Sequence, residues 1–506
     1  MNLIEKLDYY SRNFPTDIAY INKNSQMTFE ELGQSSDALA SYLLEKYPDD
    51  KTPIVVVGHK SKWMLLCFLG CVKAGHAYIP VDTSMPSGRI EEIIAGSKTK
   101  LIFSTEDLPY SFDACTEIVN KDRIYRLSDD YSGKKPDKDK CVKSEDVYYI
   151  IFTSGSTGKP KGVRITLKNL ESFISWGLDF CHITENRVFM NQAPFSFDLS
   201  VMDLYLSLAS KSTLVALDKD LSSDMGRLFD IFRLSDISVW VSTPSFADMC
   251  LADKSFSETL LPKLKTFLFC GETLTNKTVE NLHARFSDCA VYNLYGPTEA
   301  TVAVTQVLIT ETIVKNINPL PVGKVKPGCK IYIMRDGKPA ADGESGEIVI
   351  TGDSVSRGYY NDEEMTAISF GYFNINGESV FGYKTGDLGY FSESQLYYFG
   401  RLDFQIKLNG YRIEIEDIEN NFRKLPEIQN AVVIPVIKER KTAHLNAFVI
   451  MKDPNSDKSL KASIEIKKKL NKLIPEYMIP KKIIFKDSFK FNANGKIDRK
   501  ALTQEV

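Results

Sequence analysis

The sequence predicts an α/β fold with two domains, and three changes of texture carry that prediction. Short apolar runs alternate with helix-like amphipathic stretches through about the first 300 residues, the pattern of parallel sheets covered on both faces. After about residue 305 glycine-punctuated short strands take over, indicating a small antiparallel, β-barrel-like subdomain. From about residue 403 short strands mix with a Lys-rich helix, indicating a compact α+β domain. The expected division is therefore a large domain of parallel α/β sheets at 1–402 and a small C-terminal domain at 403–506.

Taken in order, Ile54–Val57, Leu101–Phe103, Tyr148–Phe152, Ser238–Val241 and Phe267–Phe269 are runs too apolar for a half-exposed strand and read as buried. The periodic stretches Ser61–Lys73, Pro86–Ala95, Met225–Leu234 and Asn276–Phe286 read as the helices between them. Ser242-Thr243-Pro244 offers a capping side chain before a first-turn proline. Lys330–Met334, Gly346–Thr351 and Gln395–Phe399 read as the antiparallel strands, Ala431–Val436 and Ala447–Met451 as strands of the small domain, and Ser463–Leu473 as its helix.

Composition narrows the function. The 506 residues are 43% hydrophobic and 25% charged, which suits a globular chain. The 63 basic and 66 acidic residues leave a net charge of −3, so no global field marks a nucleic-acid binder. Nine cysteines without a Cys-x-x-Cys pair argue against a disulfide scaffold or a common zinc site. The start lacks the basic-then-apolar pattern of a signal peptide, and Trp63–Val72 is about half a membrane span, so a cytoplasmic chain with no membrane span is expected. Charge is uneven locally: residues 458–500 hold 13 Lys/Arg against 4 Asp/Glu, a balance of 13 − 4 = +9. That run is either a solvated face or a docking surface for an acidic partner.

The strongest chemical signal is Thr153-Ser154-Gly155-Ser156-Thr157-Gly158-Lys159-Pro160-Lys161-Gly162, directly after a buried strand. Its glycines let the backbone approach a polyanion, and its hydroxyls, N–H groups and ammonium groups suit phosphate oxygens. It is not a Walker loop, because Pro160 stands where a magnesium-holding Ser or Thr would follow the lysine. The dinucleotide fingerprint, the G-x-S-x-G elbow and the H-E-x-x-H zinc motif are all missing, and the five histidines show no metal spacing.

The loop resembles the phosphate-binding signature of the adenylate-forming enzymes, which include acyl-CoA synthetases, luciferases and peptide-synthetase adenylation domains. Further blocks match in order. Thr28–Leu32 opens the series. Asn293-Leu294-Tyr295-Gly296-Pro297-Thr298-Glu299 is similar to the adenine and magnesium segment, Tyr383–Asp387 to the ribose block, Gly400–Lys407 and Gly410–Glu414 to the hinge, and Asn494–Asp498 to the catalytic-lysine block. The resemblance spans essentially the whole chain. It implies an ATP site drawn from the loop, from Asn293–Thr298, from Asp387 and from Tyr398, Phe399, Gly400 and Arg401, with Glu299 holding Mg²⁺. It also implies that Lys496 meets both the α-phosphate and the acid substrate, and that a mobile small domain turns about a hinge at Asp403. The residues suit these tasks: Tyr295 offers a π-face to a purine, Glu299 is a hard oxygen ligand, Asp387 can accept ribose hydroxyls and Arg401 can reach ribose or phosphate.

Asn191–Val201 points to the acid substrate. An aspartate among phenylalanines is costly without a cationic partner, and Asp198 matches the position that binds the α-amino group in amino-acid-activating members; a cap on the following helix is the alternative, and the two are not exclusive. Lys73–Asp82, Asn191–Asp203, Ser242–Phe246 and Phe269–Glu272 resemble the branch that loads D-alanine onto a carrier protein. That resemblance implies a methyl-sized pocket bounded by Cys270 and Val302, with ATP, D-alanine and a phosphopantetheinylated carrier protein as partners, and D-alanylation of lipoteichoic acid in the cell wall as the outcome. Two alternatives stay open. One is a peptide-synthetase-type adenylating enzyme for another small amino acid, which the lack of a carrier domain after Lys500 disfavours; the other is a catalytically silent nucleotide-binding protein.

Overall fold

The computed structural model describes residues 1–23, 25–107, 116–155, 159–375, 377–438, 441–490 and 497–505, the side chains of Ser222, Ser223 and Lys500 apart. Among them the chain divides into two compact units: residues 1–83, 94–152 and 162–402, and residues 84–93, 153–161 and 403–506. The last division falls between Leu402 and Asp403.

The larger unit is built around two mainly parallel sheets. One orders its nine strands Lys324–Val325, Thr305–Leu308, Ala290–Tyr295, Thr266–Phe269, Val239–Ser242, Val188–Asn191, Thr213–Ala216, Ile18–Asn22 and Ser25–Thr28. Its six central strands, from Ala290–Tyr295 to Ile18–Asn22, run parallel, and antiparallel strands flank them. The second sheet centres on Val147–Thr153, Tyr78–Asp82, Ile54–Gly58 and Leu101–Ser104. Every residue of Ile54–Gly58 and Tyr78–Asp82 is buried, as expected for strands covered on both faces. The apolar stretch before Lys73 is the helix Lys62–Lys73, buried almost throughout and packed into the main core.

The change of texture near residue 305 becomes a six-stranded antiparallel sheet that includes Cys329–Arg335, Gly346–Gly352, Phe370–Ile375, Glu378–Ser392 and Gln395–Arg401. In the smaller unit Gln405–Leu408 pairs with Tyr411–Glu414, and Ile428–Lys438, Lys441–Met451 and Lys482–Phe485 form a three-stranded sheet. Its core gathers Ile413, Ile418, Phe422, Val433, Ala447 and Leu470, among others.

Two local expectations need correction. The Lys-rich helix runs Leu460–Leu470 rather than from Ser463 to Leu473, because Ser459 caps it by accepting the Ala462 N–H. The helix Pro244–Leu251 has its first-turn proline, but Thr243 makes no side-chain cap bond. Ser242 Oγ instead accepts from Trp240 Nε1 at 2.7 Å, and the Ser245 N–H is taken by Glu272 Oε2 at 3.1 Å. A carboxylate from a distant loop does the work expected of a local hydroxyl.

Candidate functional site

Among the predicted residues of the larger unit, Asn293–Glu299, Cys270 and Asp198 lie at or beyond the carboxyl ends of parallel strands, where open α/β sheets bind ligands, and Asp387, Tyr398 and Arg401 come from the antiparallel sheet. The strand Ala290–Tyr295 ends in Tyr295, whose hydroxyl donates to Asp387 Oδ2 at 2.6 Å. Burial, then the neighbouring Asp387 carboxylate, pushes the Tyr295 phenol well above its usual range, so it stays a donor. Asp387 and Arg401 are cross-strand partners, and Arg401 donates from Nη1 to Asp387 Oδ1 at 2.6 Å. Their side chains are 3% and 10% exposed, so this is a buried pair rather than the surface pair Arg401 could have made. Asp387 is thus gripped on both oxygens, by Tyr295 and Arg401.

The Tyr398 ring lies 6.1 Å from that of Tyr295. Phe399 is 70% exposed, and Gly400 takes φ +143° next to Arg401, a conformation that L side chains rarely adopt. Asn293 is buried, with Nδ2 donating to Pro321 O at 2.8 Å, and Leu294 lies in the main core. Gly296 permits a close approach: a Cβ there would stand 2.5 Å from Ala303 Cα. Pro297 precedes the turn Thr298–Ala300, and Thr298 is buried.

Glu299 is fully buried, and Tyr359 Oη donates to its Oε1 at 2.8 Å. Directly after this turn Thr301 and Val302 both have positive φ, 56° and 65°. For a β-branched valine this is a strained conformation of the kind that clusters at functional sites. Thr301 Oγ1 donating to Ser354 O at 2.8 Å and Ala303 N donating to Thr301 O at 2.8 Å hold it in place. The strain brings Val302 against Cys270, whose Sγ lies 3.8 Å from Val302 O, and both are nearly inaccessible. Cys270 follows the strand Thr266–Phe269, the neighbour of Ala290–Tyr295.

Asp198 occupies the N-cap position of the helix Leu199–Ala209 but makes no side-chain cap bond there. The capping alternative therefore does not account for its carboxylate. Burial first, and then the nearby Asp198 charge, raise the Tyr149 phenol well above its usual range. Tyr359 and Glu272 have roles that sequence pattern did not expose, because each acts through a contact distant in the chain.

Within the smaller unit, Thr153 is the last residue of the strand Val147–Thr153 and Ser154 follows it into the glycine-rich loop. Ser154 and Gly155 are buried, and Lys159 is exposed. Thr153 Oγ1 is buried with no hydrogen-bond partner among the described residues. Asp403 Oδ1 accepts from Gln405 N at 3.1 Å, a local turn at the start of the unit's C-terminal segment. Ser156, Thr157, Gly158 and Lys496 lie outside the described residues. No group of three or more His, Cys, Asp or Glu gathers among the described residues, and no described helix is long and apolar enough to cross a membrane.

The chain belongs to the AMP-binding enzymes: residues 7–360 match that family, and residues 417–496 match the AMP-binding enzyme C-terminal domain. Within that class, it is 46% identical to proteins named D-alanine–D-alanyl carrier protein ligase from Bacillus cereus (strain AH187) and Bacillus thuringiensis (strain Al Hakam), over 100% of both chains. Among solved structures, the Vibrio cholerae adenylation domain AlmE in complex with glycyl-adenosine-5′-phosphate aligns with TM-score 0.81 at 21% identity, covering 99% of this chain and 97% of that one. An artificially fused adenylation–carrier di-domain from Klebsiella oxytoca aligns with TM-score 0.82 at 21% identity, covering 95% and 93%. At such identities these structures speak for the fold.

Proposed function

We propose that this enzyme uses ATP to activate D-alanine as D-alanyl adenylate and then transfers the D-alanyl group to the phosphopantetheine thiol of a carrier protein. The observation that carries this reading is the full-length 46% identity to the ligases of that name. It is supported by a carboxylate at Asp198 that does not cap its helix, and by the contact between Cys270 and strained Val302.

In the first half-reaction a substrate carboxylate oxygen bonds to the α-phosphorus as the bond to pyrophosphate breaks. Such chemistry needs positioning and charge neutralisation more than covalent help. Asp198 holds the substrate's ammonium, Tyr295 stacks on adenine, Asp387 and Arg401 take the ribose, and the Thr153–Lys159 loop takes the phosphates. Lys496 stabilises charge growing at the α-phosphate and on the attacking carboxylate. In the second half-reaction the carrier thiolate attacks the acyl carbon and AMP leaves.

Mg²⁺ fits the donor set. It typically keeps several waters and takes one or two carboxylates plus substrate phosphates, and Glu299 supplies one buried carboxylate steadied by Tyr359. When bound there, the ion neutralises phosphate charge. The large domain (1–402) holds the ATP and amino-acid sites, and the small domain (403–506) carries Lys496 and turns at Asp403. The enzyme works in the cytoplasm and feeds D-alanylation of lipoteichoic acid. ATP–pyrophosphate exchange against a panel of amino acids tests the reading: D-alanine should be strongly preferred, and preference for another small amino acid would instead make it a peptide-synthetase-type adenylating enzyme.

A further inference from the structure

Lys60 lies just past the end of the strand Ile54–Gly58, a place where a lysine is ordinarily solvated. Instead it is 1% exposed and holds a left-handed backbone, φ 43°. Its ammonium donates to three main-chain carbonyls: Gln192 at 2.6 Å, Leu217 at 2.8 Å and Asn191 at 3.2 Å. An ammonium has three protons to give, and each has a carbonyl. The Lys60 carbonyl accepts in turn from Tyr20 Oη and from Asn22 Nδ2 at 3.0 Å, so the residue is anchored from behind.

The carbonyls it grips sit at the carboxyl ends of two adjacent parallel strands, Val188–Asn191 and Thr213–Ala216. From the first of these ends the chain runs on through Pro194 and Phe197 to Asp198. Asn191 reinforces the same start with its side chain, donating to Ala193 O at 3.0 Å and to Asp203 Oδ1 at 2.9 Å. Asp203 is fully buried on the helix that follows Asp198. One buried cation and one buried acid therefore brace the irregular segment from both sides. Burial lowers the Lys60 ammonium to about 8, with the Asp203, Asp82 and Asp218 charges pulling the other way. An apolar side chain would fill this space without that desolvation, but would take the ammonium donor from the Gln192 and Leu217 carbonyls, whereas Asn191 O also accepts from the Leu217 N–H at 3.0 Å.

We propose that Lys60 is a positioning residue of the amino-acid site, fixing the main chain at Asn191 and Gln192 so that Asp198 meets the substrate's ammonium. This rests on the reading that Asp198 takes that ammonium, and adds what sets its position. The test is ATP–pyrophosphate exchange with separate KM values for D-alanine and ATP, in Lys60→Met, Lys60→Gln, Asn191→Ala, Asp198→Asn and the Lys60→Met/Asp198→Asn double variant. Lys60→Met should raise the D-alanine KM about tenfold, as for loss of a charge-assisted hydrogen bond, with the ATP KM unmoved. Lys60→Gln, which keeps two donors, should fall between, and Asn191→Ala should shift the same constant. The double variant should add little to Asp198→Asn, because Lys60 acts through that residue. A merely structural lysine would reduce the folded fraction, lowering kcat and leaving both KM values in place; that result overturns the proposal. If Asp198→Asn itself leaves the D-alanine KM unchanged, the underlying reading fails; if it raises KM while the Lys60 and Asn191 variants do not, only this inference falls. Should Lys60→Met not fold, Lys60→Gln and Asn191→Ala decide the matter.

Discussion

At the scale of the residue, Lys496 is the sharpest probe of the two half-reactions. Lys496→Ala should slow adenylation by about 10²–10³-fold, the loss typical of one preorganised charge-stabilising group. Loading of the carrier from preformed D-alanyl adenylate should continue at near the wild-type rate; a parallel fall in both half-reactions would deny the lysine an adenylation-specific role. Lys60 gives a pH test whose sign is fixed. Its folded value of about 8 lies below the usual 10.5 because burial disfavours the charge. Between those values the unfolded chain holds more of this proton, so the group's contribution to stability rises with pH there, and below pH 8 the burial penalty is carried in full. The stability difference between Lys60→Met and wild type should therefore shift in favour of wild type by about 2 kcal/mol between pH 7 and 9.5. Urea unfolding at the two values measures it, and a pH-independent difference would contradict the assignment.

At the scale of the element, the legible parts of the sequence were those set by local pattern. Buried strands such as Ile54–Gly58 and the helix Met225–Leu234 fall where apolar runs and periodicity put them, since burial on both faces leaves a direct mark on composition. The order of motif blocks likewise picked out Tyr295, Asp387 and Arg401, which the fold joins by hydrogen bonds. What pattern could not reveal were contacts between distant segments: Glu272 serving the helix at Pro244, Tyr359 steadying Glu299, and Lys60 reaching the ends of two strands. The lysine looked like any polar residue after a strand, because nothing in its neighbours in sequence shows which carbonyls lie above it. Two outcomes test these elements. Glu272→Ala should cost about 1 kcal/mol in urea unfolding, as for a lost helix cap. Gly296→Ala should weaken ATP binding by calorimetry, because its Cβ would press on the Ala303 backbone at 2.5 Å and shift the turn that carries Glu299; unchanged affinity would show the turn can yield.

At the scale of the whole molecule, the charge imbalance of residues 458–500 bears on the carrier. Lys458 and Lys469 already have acidic partners in Asp487 and Glu427, which trims the field, while Lys461, Lys468, Lys472, Lys481, Lys482 and Lys490 are exposed. If this face steers an acidic carrier, transfer at limiting carrier should slow as ionic strength rises from about 0.01 to 0.15 M, where the screening length falls from about 30 to 8 Å. Adenylation should change little, and a salt-independent transfer rate would leave the run as a solvated face. Selection of D-alanine for adenylation is proposed to rest on Asp198, Cys270 and Val302. Its most direct measurement is kcat/KM in ATP–pyrophosphate exchange for D-alanine against L-alanine and larger D-amino acids. D-Alanine should lead clearly, and Cys270→Gly should narrow the margin over larger side chains by roughly 10-fold, the worth of a methylene-sized contact. Equal rates for D- and L-alanine, or a larger amino acid preferred by the wild-type enzyme, would contradict it.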